Sequence, residues 1–208
     1  MYIQITTRCN MSCEHCCMAA TARGDDMSED VFRAALKIAE EYGDIVTLGG
    51  GEPTLHSRFK DFLLLAIAAD LESDPFVITN GSNTETSLIL AKLAKKGAIG
   101  AALSLDEYHD DINWAVREAF LKRPSKWTSG DNDLRGIHSA NRIIAQGRAK
   151  DRGEAGCACE DIYLTPRGDI YGCLCKTKRF GTVFEPSIPD EWQYGVCAKE
   201  QEEFEKAA

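Results

Sequence analysis

Eight residues near the start, Cys9-Asn10-Met11-Ser12-Cys13-Glu14-His15-Cys16, constrain this chain more than any other stretch. Three cysteines stand at spacings of four and three, in a segment without helical or strand periodicity. Thiolate is a soft ligand, suited to zinc, copper(I) or iron–sulfur clusters. A [4Fe–4S] cubane usually takes four cysteines, so three leave one iron open to another ligand. Cys17 adds a fourth thiol next to Cys16. A structural zinc site of four cysteines is a competing reading, although zinc knuckles usually come as two Cys-x2-4-Cys pairs with a longer segment between. A disulfide cluster would require secretion.

The rest of the composition bears on that choice. Met1-Tyr2-Ile3-Gln4 lacks the basic start and apolar core of a signal peptide. No apolar run is long enough to span a membrane. A cytoplasmic protein without a membrane partner is expected. There the nine cysteines point to metal rather than to disulfides, and an odd number prevents complete pairing. The net charge of −9 offers no global footprint for nucleic acid. Two basic stretches, Arg142/Arg148/Lys150/Arg152 and Lys176/Lys178/Arg179, read as solvated surface. With 208 residues the chain can form one domain, or one domain and a small appendage.

The pattern along the chain alternates between short apolar runs and amphipathic segments. Strands are expected at Tyr2 to Thr6, Ile45 to Leu48, Phe76 to Thr79 and Ile99 to Leu105. Helices are expected at about Glu29 to Tyr42, Arg58 to Leu71 and Thr86 to Lys96, with Val31, Ala35, Ile38 and Tyr42, then Phe59, Phe62, Leu63, Ala66 and Ile67, then Ile89, Leu90 and Leu93 turned inward. This alternation argues for parallel βαβ units. Further on, Ile112 to Leu121 reads as helix, Pro124 to Arg135 as loop, and Arg142 to Ala145 as a fifth strand. Asp161 to Gly172 reads as a β-hairpin around Pro166-Arg167-Gly168, with Phe180 to Val183 as another strand and a charged helix after Pro189. Ligands bind at the C-terminal ends of parallel strands. The residues least explained by packing fall there: the cysteine loop, Gly49-Gly50-Gly51-Glu52-Pro53, Asn80-Gly81, and Ser104 with Asp106. Ser104 and Asp106 share one face of their strand.

Cys-x3-Cys-x2-Cys, with His15 before the last cysteine, resembles the signature of the radical S-adenosylmethionine (radical SAM) superfamily. The glycine-rich turn resembles that family's Gly-Gly-Glu motif at Gly50, Gly51 and Glu52, and Ser104-Leu105-Asp106 resembles its fourth-strand motif. The resemblance implies a partial TIM-type barrel and an enzyme that reductively cleaves SAM at a [4Fe–4S] cluster to a 5′-deoxyadenosyl radical, which abstracts hydrogen from a substrate. It implies Cys9, Cys13 and Cys16 as cluster ligands, and His15, Gly50, Gly51, Glu52, Asn80, Ser104 and Asp106 around SAM. It also implies an external one-electron donor such as flavodoxin or ferredoxin. No residue is assigned a catalytic role; Tyr108 and His109 read as solvated loop.

Cys157, Cys159, Cys173 and Cys175 flank the expected hairpin, whose pairing would bring the two Cys-x-Cys pairs together. Cys157-x10-Gly168-x4-Cys173 is similar to the opening of the SPASM and twitch extensions, which hold auxiliary [4Fe–4S] clusters. A full SPASM set needs more cysteines downstream, and only Cys197 remains. One auxiliary cluster, zinc, or thiols without metal stay open at this point. The expected division is a barrel domain over 1–150 and a cysteine-rich extension over 151–208, with the hairpin closing the barrel. An extension of this kind suggests a peptide or small-protein substrate, with small molecules and nucleotides as alternatives. The rival from another class is a non-catalytic iron–sulfur carrier or redox sensor.

Overall fold

A computed structural model describes residues 1–42, 45–121, 132–139, 143, 145–151, 161–176 and 178–189. The first strand, β1 (Tyr2–Thr6), buries Ile3 and Ile5 on one face and Gln4 and Thr6 on the other. Burial on both faces is what an inner parallel strand requires. Buried Gln4 is satisfied by Tyr163, whose hydroxyl donates to Oε1 at 2.5 Å.

Helix α1 (Glu29–Tyr42) starts at Ser28, whose Oγ accepts from the Val31 N–H, and carries Glu29 and Asp30 in its first turn. Strand β2 (Thr47–Gly50) leads through a 3-10 turn at Pro53–Leu55 into α2 (Phe59–Ala68). Phe32 of α1 stacks on Phe62 of α2 with ring centroids 4.2 Å apart, locking the two helices over β1 and β2. Strand β3 (Phe76–Thr79) is followed by α3 (Thr84–Lys95), capped by the Asn83 side chain. Strand β4 (Gly100–Ser104) is followed by the short α4 (Trp114–Phe120). Tyr42, Ile67 and Ile89, expected to face inward, are exposed instead. They lie at the margins of the apolar stripes, where Leu36, Leu63 and Leu90 already fill the interior.

The fifth strand is β5 (Arg135–His138), not Arg142 to Ala145; Arg142 and Ile144 lie outside the described residues. It runs parallel to β4 at the sheet's edge and is half exposed, so its sequence lacks the continuous apolar run of an inner strand. The expected hairpin forms from β6 (Tyr163–Leu164) and β7 (Asp169–Tyr171), and β8 (Arg179–Thr182) and β9 (Glu185–Pro186) extend it. It does not close the barrel. β6 pairs with β1 in parallel, giving the order β5-β4-β3-β2-β1-β6-β7-β8-β9 among the described residues. Closure would need the outer strand of that run to pair with β5, and among the described residues no such pairing is present. The architecture is thus α/β, an open, partial-barrel parallel sheet with an antiparallel C-terminal run.

A hollow of about 820 Å³ lies at the N-terminal ends of β3 to β5, lined in part by Phe76, Gly100 and Leu134. It is at the opposite end of the sheet from the cysteine loop.

Candidate functional site

The cysteine loop leaves the C-terminal end of β1 and folds against the ends of β2, β3 and β4. Cys9, Met11 and Ala20 form a small buried cluster, with Cys13, Cys16 and Ile112 packed on it. The three thiols of the triplet therefore share one apolar pocket. Burial pushes the Cys9 thiol above its ordinary value. Burial, reinforced by the neighbouring Cys9 sulfur, pushes Cys13 up to about 11. Two N–H groups aim at the Cys9 sulfur: the Met11 amide at 3.4 Å and Asn80 Nδ2 at 3.8 Å. Such donors stabilise a thiolate. Three cysteines on one apolar cluster, one buried and two half buried, with N–H donors to the Cys9 sulfur, form a donor set that fits an iron–sulfur cluster. Cys17 is not part of that apolar cluster, and burial, reinforced by the neighbouring Cys16 sulfur, pushes its thiol up to about 11.

Asn80 does more than approach Cys9. Its Nδ2 also donates to Asn10 Oδ1, which accepts from Ser82 Oγ as well. The end of β3 thus holds the start of the loop.

The glycine-rich turn is shaped by close approach to β1. A Cβ on Gly50 would stand 2.4 Å from the Thr6 carbonyl oxygen, and one on Gly51 2.3 Å from that of Arg8. No side chain fits there. The Gly51 and Glu52 amides donate to those same two oxygens, at 2.9 and 2.8 Å. Glu52 is fully buried. Its Oε1 accepts from the Thr54 amide, Thr54 Oγ1 and Thr79 Oγ1, and its Oε2 from the Asn80 amide. Burial pushes its carboxyl up, and these donors pull it back. The Glu52 side chain therefore ties the β2 turn to the end of β3.

Beyond β4, Asp106 is part of a compact polar group. His109 Nδ1 stands 2.7 Å from Asp106 Oδ1, the Tyr108 amide donates to the same oxygen, and His15 Nε2 lies 3.6 Å from Oδ2. The His15 ring packs on Tyr108 and His109, with centroids 4.8 and 5.1 Å away. Burial lowers the His15 pKa, and Asp106 opposes that shift. Potential ligand atoms of His15, Asp106 and His109 lie within 4.8 Å of one another, close enough to surround a cation. The segment is a loop, as expected, but the His109 side chain is largely withdrawn from solvent. Ser104 ends β4, half buried, facing β5 at His138.

Sequence reasoning missed Arg148, which it read as surface charge. Its amide donates to the Cys16 carbonyl at 3.0 Å, Nε to the Cys13 carbonyl at 2.9 Å, and the guanidinium also reaches the Ala20 carbonyl. The basic stretch gave no signal of this. Gly147, at φ +60°, was the available hint of a forced close approach. Of the five C-terminal cysteines, Cys173 is buried and Cys175 half buried; Cys157, Cys159 and Cys197 lie outside the described residues.

A family model described as the radical SAM superfamily matches residues 3–126. The tungsten-containing aldehyde ferredoxin oxidoreductase cofactor-modifying protein of Pyrococcus furiosus is 33% identical over 113 residues, 51% of this chain and 30% of that protein. Mycofactocin maturase MftC of Mycolicibacterium smegmatis is 29% identical over 119 residues, 55% of this chain and 29% of its own length. The match therefore spans under a third of either relative. Among solved structures, BtrN in complex with AdoMet and 2-DOIA superposes with a TM-score of 0.64 at 15% identity, covering 99% of this chain and 84% of that one. Native anSMEcpe with bound AdoMet gives 0.56 at 13% identity, covering 97% and 82%. At such identities the likeness is one of fold.

Proposed function

The chain belongs to the radical SAM superfamily, and from that premise we propose that it cleaves SAM reductively and directs the radical to a C–H bond of a peptide or small protein. It is an enzyme whose cofactors are a [4Fe–4S] cluster and SAM. When bound, they supply one electron and a 5′-deoxyadenosyl radical, and the protein binds, orients and shields. The observation that carries the proposal is the packing of Cys9, Cys13 and Cys16 in one apolar pocket at the C-terminal end of β1, beside the ends of β2 to β4.

In this reading the three thiolates hold the cluster, and the Met11 amide and Asn80 steady the Cys9 sulfur. The turn at Gly50 and Gly51 would take the amino group of SAM. Glu52 acts by fixing their turn. Ser104 and Asp106 would contact the ribose or carboxylate of SAM, with His109 keeping the Asp106 carboxylate aimed, and His15 would lie beside the same pocket. The domain division near residue 150 belongs to the same proposal, as does an auxiliary cluster on Cys157, Cys159, Cys173 and Cys175. A maturase among the relatives supports the peptide or small-protein substrate. The reading includes an external one-electron donor, such as flavodoxin or ferredoxin. No helix among the described residues is long and apolar enough to cross a membrane.

Anaerobic reconstitution with iron and sulfide, followed by dithionite and SAM, tests the core of the proposal. 5′-Deoxyadenosine is the expected product. A fully loaded cluster that leaves SAM intact would reduce the chain to an electron carrier.

A further inference from the structure

Arg148 stands 135 positions from Cys13, yet its fork donates to the backbone of the cysteine loop at two places. Nε takes the Cys13 carbonyl and Nη1 takes the Ala20 carbonyl, so one rigid planar group spans the stretch that contains Cys16. The Arg148 amide adds a third bond, to Cys16 itself. A lysine, with a single point of charge, has no equivalent fork.

The approach depends on the preceding residue. A Cβ on Gly147 would lie 2.4 Å from the Cys17 carbonyl oxygen and 2.5 Å from that of Cys16. Before that, Gln146 Nε2 donates to the Leu174 carbonyl at 3.4 Å, between Cys173 and Cys175. Residues 146–148 thus join the cysteine turn of the C-terminal hairpin to the N-terminal cysteine loop.

We propose that Arg148 is a positioning residue for the cluster, its fork holding the loop in ligating geometry while its charge eases cluster reduction. This rests on the reading of Cys9, Cys13 and Cys16 as the ligands. A fixed positive charge beside a cluster favours the form with one more electron, because reduction adds negative charge that it attracts. Its hydrogen bonds hold ligand-bearing backbone in place, as partners beyond the ligands do at other metal sites.

The test compares wild type, Arg148→Lys and Arg148→Gln as reconstituted full-length proteins. The readouts are the midpoint potential from an EPR-monitored redox titration without SAM, and iron retention against a chelator. Arg148→Gln should move the potential to a more negative value and weaken retention by about 10- to 100-fold. Arg148→Lys should weaken retention comparably but keep a potential near that of wild type, since the charge survives. Circular dichroism checks that each variant folds; if Arg148→Gln does not, retention in Arg148→Lys decides. Wild-type retention in both variants, or a potential unmoved by Arg148→Gln, overturns the proposal. A wild-type protein that assembles no cluster overturns the ligand reading beneath it, which is a different result from an intact cluster indifferent to Arg148.

Discussion

The Asn80 amide donates to Glu52 Oε2 at 2.6 Å, joining the end of β3 to the glycine-rich turn after β2. Asn80 in turn reaches the Cys9 sulfur, so one buried carboxylate lies a single residue from the cysteine loop.

Replacing Glu52 with Gln puts an amide NH2 where a carboxylate oxygen now accepts. Either the Asn80 amide or the three donors on Oε1 would then face another donor. Leaving a buried donor unsatisfied costs about 1–3 kcal/mol. We expect Glu52→Gln to lower stability by that amount in urea unfolding of the metal-free protein. An unchanged midpoint would mean that the turn does not depend on this carboxylate.

Cys13→Ala should abolish SAM cleavage and strip most of the iron, because two thiolates hold a cubane poorly. Cys17→Ala should keep both, since Cys17 is not among the residues of the Cys9/Cys13/Cys16 cluster. Iron analysis and a 5′-deoxyadenosine assay check the pair. An essential Cys17 beside a dispensable Cys16 would show the ligand register to be wrong.

Gly147→Ala introduces a methyl group against the Cys16 and Cys17 carbonyls, at a φ of +60°. Backbone strain of this type costs of order 1–3 kcal/mol. The expected result is impaired cluster loading, with far-UV circular dichroism preserved. Normal loading at the wild-type rate would show that residues 146–148 do not shape the loop.

His109→Ala removes the ring held at 2.7 Å from Asp106 and leaves that carboxylate less firmly aimed. Loss of a hydrogen bond to a charged group costs about 1.5–3 kcal/mol. SAM should therefore bind about tenfold or more weakly, since 1.4 kcal/mol is a factor of ten. Equilibrium binding of SAM to the reconstituted variant gives the answer, and wild-type affinity would remove His109 from the site.

The buried thiols make the protein sensitive to pH in a defined direction. Cys13 moves from an ordinary 9.0 up to about 11, above its unfolded value. In the metal-free protein its contribution to stability is therefore complete below about pH 9 and lost as pH climbs toward 11. Thermal unfolding of the metal-free wild type should lose more stability across that window than Cys13→Ala does. Ligation needs the same thiols deprotonated, so cluster loading should release protons and weaken as pH falls. Loading without proton uptake by the buffer would argue against thiolate ligation.

The sequence by itself determined what is local. β1, β3 and α1 lie where their periodicity put them, because alternation, caps and apolar spacing act over a few neighbouring residues. The cysteine spacing and the Gly-Gly-Glu run could be read directly, since chemistry of that kind is carried by consecutive residues. The tertiary structure alone decided which distant segments meet. β6 lies beside β1, Glu52 binds the end of β3, His109 holds Asp106 against His15, and Arg148 holds the cysteine loop. The pairs in that set separated by tens of residues or more leave no periodic trace, because strand order and loop packing decide their contact. Arg148 shows the reason most directly. Its sequence neighbours are basic, and only the fold places its side chain over carbonyls 128 and 135 positions away.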